Sequence, residues 1–223
     1  MAIQGQHKAA RRLSGTTTAA AALPLSEVGI DQVIMAAALS LFQERGFYGT
    51  SMRDIAARSG TSVSHLYYYF NSKAQVLKSL MIGIVRDLIA ELDNALAAAG
   101  AQPADRLAAL VRAEVLFHCQ RQAEAFVGRS ELRSLEADDK SEVIALYDQV
   151  TAMFACAIAA GVRNGAFDCP HRAEATRAII TMCNGVSGWY RVGGGLTPRV
   201  VADRYVCLVL AMVCAARPLD GVI

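Results

Sequence analysis

The sequence predicts an all-α chain, with a small three-helix domain followed by a larger helical bundle. Three observations carry this. Apolar residues recur at three- and four-residue spacing through most of the chain, and no stretch alternates with a period of two. The composition is 54% hydrophobic but only 7% aromatic, with Ala, Leu and Val tracts that suit helices. Ser51 with Asp54, and Ser72 with Gln75, have the spacing of capping boxes that open helices. At 223 residues there is ample chain for a sizeable core.

Residues 1–25 are mostly Gly, Ser, Thr, Gln and Ala with scattered positive charge, and are expected to be a disordered N-terminal extension. The alternative is a basic arm that reaches a nucleic-acid backbone or minor groove. Lys8, Arg11 and Arg12 precede an Ala-rich stretch, as in an export signal. Its apolar part, Ala19 to Leu23, is shorter than the roughly 7–15 residues such a signal needs. A cytoplasmic location follows as the expectation.

The first helix starts near Ser26, carries Ile30, Val33, Ile34, Ala37, Leu41 and Phe42 on one face, and ends at Gly46. Between Thr50 and Lys73 come two short helices with a tight turn. Met52, Ile55 and Ala56 face one way, Gly60 has the conformational freedom a C-cap needs, and Ser62 caps a helix over Val63–Phe70 that buries Leu66 and Phe70. That is a helix-turn-helix, whose second helix is the part that enters a DNA major groove. Net charge is only +2, but residues 1–73 hold seven Lys/Arg against four Asp/Glu, and the remainder fifteen against sixteen. The basic end coincides with the helix-turn-helix, as phosphate binding requires.

The run TSMRDIAARSGTSVSHLYYYFNSK resembles the DNA-binding domain of the TetR family of bacterial transcriptional repressors. The specific marks are Thr50-Ser51, Asp54-Ile55-Ala56, Gly60, Leu66-Tyr67, Phe70 and Lys73, and the likeness spans residues 30–82. It implies a DNA-binding domain over 26–73 and a ligand-binding and dimerisation domain over 74–218. The implied partner is double-stranded operator DNA. Val63, Ser64 and His65 are then placed to meet base edges, a thymine methyl for Val63 and hydrogen bonds for the other two. Tyr67, Tyr69 and Lys73 fall where such proteins contact phosphates, Tyr68 at the groove edge. Thr50, Ser51, Arg53 and Ser62 complete the expected DNA-contacting set.

Beyond the helix-turn-helix, Lys73–Ala99 reads as one long helix with Val76, Leu77, Leu80, Met81, Ile84 and Leu88 inward. Pro103 opens the next, through Leu107, Leu110, Val111, Glu114, Val115 and Phe117, with a break near Arg121. A short helical turn covers Arg129–Glu136. Lys140–Asn164 is a second long helix with Val143, Leu146, Val150, Met153, Phe154, Ala157 and Ile158 inward, ending at Gly165. Ala173–Tyr190 follows, Gly193–Gly195 and Pro198 break the chain, and Val200–Ala216 is the last helix. Its segment from Val206 to Ala216 is apolar all round and must be covered on every side. The resemblance implies how, since in TetR-like repressors the last two helices of each subunit form a four-helix homodimer interface.

Large side chains that bundle helices would turn toward one another are Phe117, His118, Phe126, Tyr147, Phe154, Met182, Trp189 and Tyr190. With Arg191 they make the expected pocket for a small-molecule effector. The stretches RSELRSLEADDKSEV, AGVRNGAFD and GVSGWYRVGGGLTP are similar to TetR-like regulators of fatty-acid and steroid side-chain catabolism. Those respond to acyl-CoA thioesters, which implies an apolar acyl chain inside the bundle and CoA phosphates on Arg121, Arg129, Arg133 or Arg191. A free lipid or a planar drug is the alternative effector.

A catalytic reading finds little support. Glu114 and His118 are one helical turn apart, next to Cys119, but no second ligand pair accompanies them. No phosphate-binding Gly loop and no Gly-x-Ser-x-Gly elbow occurs. No cofactor and no metal site is expected. The alternative is a helical enzyme or carrier of acyl thioesters with an incidental helix-turn-helix. The six cysteines lack metal or disulfide spacing and are expected to be buried thiols. The longest uninterrupted apolar runs, Ala152–Val162 and Val206–Ala216, fall short of the roughly 18 residues a membrane span needs.

Overall fold

The computed structural model describes residues 29–214. The expected N-terminal extension, the helix start at Ser26 and the end of the last helix at Ala216 lie outside them. All regular structure among the described residues is helical: α1 (Ile30–Arg45), α2 (Met52–Ser59), α3 (Val63–Tyr69), α4 (Lys73–Ala98), α5 (Pro103–Gln120), α6 (Gln122–Ser130), a 3₁₀ turn (Leu132–Ser134), α7 (Ala137–Arg163), α8 (Arg172–Trp189) and α9 (Pro198–Cys214).

α1 buries Ile34, Ala37, Ala38, Leu41 and Phe42 against α2 and α4 and stops at Gly46, whose φ of 70° a side chain would resist. Arg58 on α2 reaches back to Glu44 on α1 through two hydrogen bonds of 2.8 and 2.9 Å, and also to Ser40. The Arg58 guanidinium, with the Ser40 hydroxyl, holds the Glu44 carboxyl down to about 2. This clamp joins the first two helices on the solvent side, while Leu41, Phe42, Ile55 and Ala56 belong to the buried core on the other.

α5 is the centre of the bundle, in contact with α4, α7, α8 and α9. Its buried face is Leu107, Leu110, Val111, Val115 and Phe117. The chain breaks at Arg121 (φ −115°, ψ 53°), so α6 sets off at a new angle and packs on α1, α4 and α8. Most boundaries match the helical periodicity, with three differences. Residues 129 and 130 belong to α6, so the short helical turn expected over Arg129–Glu136 is confined to a 3₁₀ turn at Leu132–Ser134. α7 begins at Ala137, three residues early, because Asp138 and Asp139 in its first turn suit the positive end of the helix dipole. Pro198 opens α9 instead of interrupting the chain, which its missing N–H permits in a first turn.

α7 corrects the membrane reading. It holds an 18-residue window of mean hydropathy 1.7 and is, by length and composition, the one helix among the described residues that a membrane would accept. Counting uninterrupted apolar residues misses it, because Asp148, Gln149 and Thr151 break the run without lowering the average enough. In the fold one face of α7 is packed, with Val143, Val150, Phe154, Ala157 and Ile158 buried against α4, α5 and α8, and 28% of the apolar window is buried. The cysteine expectation also needs correcting. Cys119, Cys169 and Cys183 are buried, but Cys156, Cys207 and Cys214 are exposed on the outer faces of α7 and α9.

Candidate nucleic-acid interface and ligand cavity

The turn between α2 and α3 is built from local chemistry. The Ser51 hydroxyl accepts from the Asp54 N–H at 3.2 Å, and the Asp54 carboxylate accepts from the Ser51 N–H at 2.8 Å. The Ser51 hydroxyl and N–H hold the Asp54 carboxyl below the usual carboxylate range. Gly60 sits in the left-handed region (φ 68°, ψ 18°) and closes α2. Ser62 then caps α3 by accepting from the His65 N–H at 3.0 Å. Leu66 is fully buried and Phe70 nearly so, which turns Ser64, His65, Tyr67, Tyr68 and Tyr69 outward.

That outward face is ordered by its own contacts. His65 Nδ1 lies 3.1 Å from the Thr61 hydroxyl. The Tyr69 ring meets the imidazole edge-on at 5.3 Å between centroids, and Tyr68 meets Tyr69 at 5.2 Å. Val63 is half-buried and packs on the core, so its methyls are only partly free for a base. Arg53 is exposed on α2 and forms no ion pair among the described residues. Ser51, Arg53 and Tyr67 border an open cleft of about 830 Å³, together with Tyr48, Asn71 and Ser72. Tyr48 and Asn71 were not singled out in the sequence, and Ser72 only as a helix cap. A Gly-flanked aromatic pair was the available signal: Phe47 is buried and Tyr48 is 83% exposed.

Two residues of the expected DNA-contacting set, Lys73 and Thr50, border this cleft but turn their polar ends inward. The Lys73 ammonium is turned inward, donating to the Phe47 carbonyl at 2.5 Å and the Thr50 carbonyl at 2.6 Å, and lies 4.2 Å from the Phe47 ring centre. Partial burial lowers its pKa, against the pull of Asp54 and Glu131. Thr50 is buried, and its hydroxyl donates to the Gly46 carbonyl at 2.9 Å. The Lys73 side chain ties the loop between α1 and α2 to the start of α4, and the Thr50 hydroxyl ties the same loop back to the end of α1.

In the bundle, α4, α5, α6, α7 and α8 enclose a cavity of about 340 Å³. Ile84, Val85, Leu88, Phe117, Val150 and Ile180 give it apolar walls. Glu114 (1% exposed) and His118 (8%) stand in it, with Glu114 Oε1 3.3 Å from His118 Nε2. Tyr147 also lines it, its hydroxyl pKa raised by burial and then by Glu114. Arg129 borders the cavity from an exposed position on α6 and has no ion-pair partner among the described residues.

A model of the C-terminal domain of tetracycline-repressor-like proteins matches residues 100–213, more than half the chain. A model of the bacterial regulatory proteins of the tetR family matches residues 34–80. The chain belongs to the TetR family. Among its relatives, the transcriptional repressor KstR2 of Rhodococcus jostii is 27% identical over 175 residues, covering 78% of this chain and 85% of that protein. A TetR-family regulatory protein from Rhodococcus RHA1 has a solved structure that is 30% identical with a TM-score of 0.77, covering 83% of this chain and 97% of that one. The structure of the ketosteroid transcriptional regulator KstR2 of Mycobacterium tuberculosis is 26% identical with a TM-score of 0.74, over 83% and 95% of the two chains.

Of the effector-pocket residues expected in this TetR-family chain, the cavity gathers Phe117, His118 and Tyr147. Phe154 is fully buried in the core outside it, and Met182 packs on the core. Phe126, Tyr190 and Arg191 border a separate surface cleft. Trp189 is neither wall nor core. It is 45% exposed at the end of α8 and stacks on Tyr205 of α9, 6.4 Å between centroids. Helical periodicity alone does not say which neighbour a residue near a helix end will meet. Among the expected phosphate-binding arginines, Arg121 is engaged by Asp87 at 2.8 Å and Glu124 at 3.2 Å. Arg129 is the one that reaches the cavity.

Proposed function

We propose that this TetR-family protein is a ligand-responsive transcriptional repressor. As a homodimer it holds a palindromic operator, and a small apolar effector, in our reading an acyl-CoA thioester, releases it. DNA binding is assigned to residues 26–73, effector binding and dimerisation to 74–218. The observation that carries the reading is the position of α6. It lines the cavity with Ala125, Gly128 and Arg129, and it packs on α1, which braces the helix-turn-helix. An occupant that shifts α6 shifts α1, and with it the spacing of the two recognition helices. Only the difference in effector affinity between the two arrangements does this work, typically about 1–3 kcal/mol.

The apolar walls suit an acyl chain or fused rings, and Arg129 offers a cation to the anionic part of a thioester. The KstR2 relatives are named as repressors, one of them a ketosteroid regulator, which agrees with the similarity read in the C-terminal stretches. The test is fluorescence anisotropy on labelled DNA from the protein's own upstream region. Dodecanoyl-CoA should release the DNA, whereas dodecanoic acid and a planar dye should not. Arg53→Ala should weaken specific and non-specific binding alike and lower the salt slope by about one. Thioester turnover without DNA binding would overturn the repressor reading; release by the dye or the free acid alone would overturn only the thioester.

A further inference from the structure

Four buried side-chain polar atoms lack a partner among the described residues, and three of them belong to the wall of the bundle cavity: Glu114 Oε2, His118 Nδ1 and Asn184 Oδ1. Their concentration in one apolar chamber is the anomaly. A buried polar group without a hydrogen bond is costly, and native proteins rarely leave three together. Their chemical sense is also uniform. With the imidazole proton on Nε2, where it donates to Glu114 Oε1, Nδ1 is an acceptor. The other two are oxygens, as the amide of Asn184 is oriented, so all three accept and none donates.

The neighbouring hydroxyls do not supply the missing protons. Thr151 donates to the Tyr147 carbonyl at 3.0 Å, and Ser187 to the Asn184 carbonyl at 3.0 Å. Both are bonds within their own helices. The Tyr147 hydroxyl stays in the lining as a single donor beside three acceptors.

We infer that the cavity is built for an apolar molecule with a hydrogen-bond donor, a hydroxyl or an amine, on the end that reaches Glu114. This rests on the effector reading above and adds the polar chemistry of the ligand. A purely hydrocarbon end leaves the three acceptors bare. A ketone or ester at that position sets a fourth acceptor against them. The exposed Arg129 and the fully buried Glu114 line the same chamber, a cation open to solvent and an acceptor shielded from it.

The experiment compares three probes with the same ring: cyclododecanol, cyclododecanone and cyclododecylamine. Binding is followed by calorimetry and operator release by anisotropy. The alcohol and the amine should each bind at least about tenfold tighter than the ketone, as a hydrogen bond to an otherwise unpartnered buried acceptor allows. In Glu114→Gln, which keeps the volume and adds donors, that preference should shrink to within about twofold. Asn184→Leu is the second variant, should the first not fold, and should reduce the preference without abolishing it. A ketone that binds the wild type as well as the alcohol overturns the inference. So does a preference unchanged in Glu114→Gln, or binding by none of the three. If the alcohol binds with the expected preference yet leaves the operator bound, the site stands and the effector reading fails. If none binds while dodecanoyl-CoA releases the operator, the reverse holds.

Discussion

Leu208→Asp should turn a dimer into a monomer and lower operator affinity by at least about 100-fold. Leu208 is 56% exposed on α9, with Met212 and Val200 of the same helix each at 39% and Trp189, at the end of α8, at 45%. The protomer's own helices leave these apolar side chains open. α9 buries Val201, Val206, Val209 and Val213 against the bundle, so the opposite stripe needs another partner. In the proposed dimer that partner is the same face of a second copy, and each subunit then carries one new carboxylate into a dry interface. An unpaired buried charge costs several kcal/mol, enough to separate the subunits. Operator binding falls with it, because two half-sites then no longer act as one. Sedimentation velocity reads the assembly and anisotropy reads the affinity. Trp189, the only tryptophan, reports independently, since its emission should shift to the red as the face becomes wet. A variant that stays dimeric and binds DNA normally would move the interface elsewhere.

Lys73→Met should destabilise the DNA-binding end by about 1–3 kcal/mol while leaving the salt slope of DNA binding unchanged. The ammonium sits at the first position of α4, where the helix dipole opposes a cation, and it persists there because two carbonyls and the Phe47 ring hold it. Methionine keeps the apolar stem and leaves both carbonyls without this donor. Thermal unfolding followed by circular dichroism, with anisotropy across a salt series, separates this from a phosphate contact. A shallower salt slope at unchanged stability would return Lys73 to the DNA.

The contrast between Ser51 and Lys73 shows what the sequence reveals. The capping box, the Gly60 turn and the Ser62 cap depend on atoms within four residues of one another, so spacing alone identifies them. Lys73 is bound by carbonyls 26 and 23 positions earlier, a pairing that appears only once the loop before α2 has folded onto α4. The cavity shows the same division. Tyr147 lies well inside α7, and Phe117 and His118, though in the last turn of α5, keep the register of its buried face, and the three meet. Trp189 and Arg191 lie at or just beyond the end of α8, where the direction of the chain decides, and they do not. Pro198 reads as a break in a string of residues, yet at a first turn it starts a helix. The Glu114–His118 pair was visible as an i, i+4 spacing, but its unpartnered atoms were not, because what α7 and α8 bring against α5 is a property of the packing.

In the proposed repressor α3 reads the operator. The most direct test measures wild type and His65→Ala against a library of operators in which each base pair is varied in turn. His65 is exposed, held by Thr61 and Tyr69, and outside the core, so its loss should leave the fold intact. The expected result is relaxed discrimination at one position in each half-site, related by the two-fold axis, with about 1–3 kcal/mol lost there and the other positions unchanged. An identical preference profile at uniformly lower affinity would contradict it, as would relaxed positions lacking two-fold symmetry.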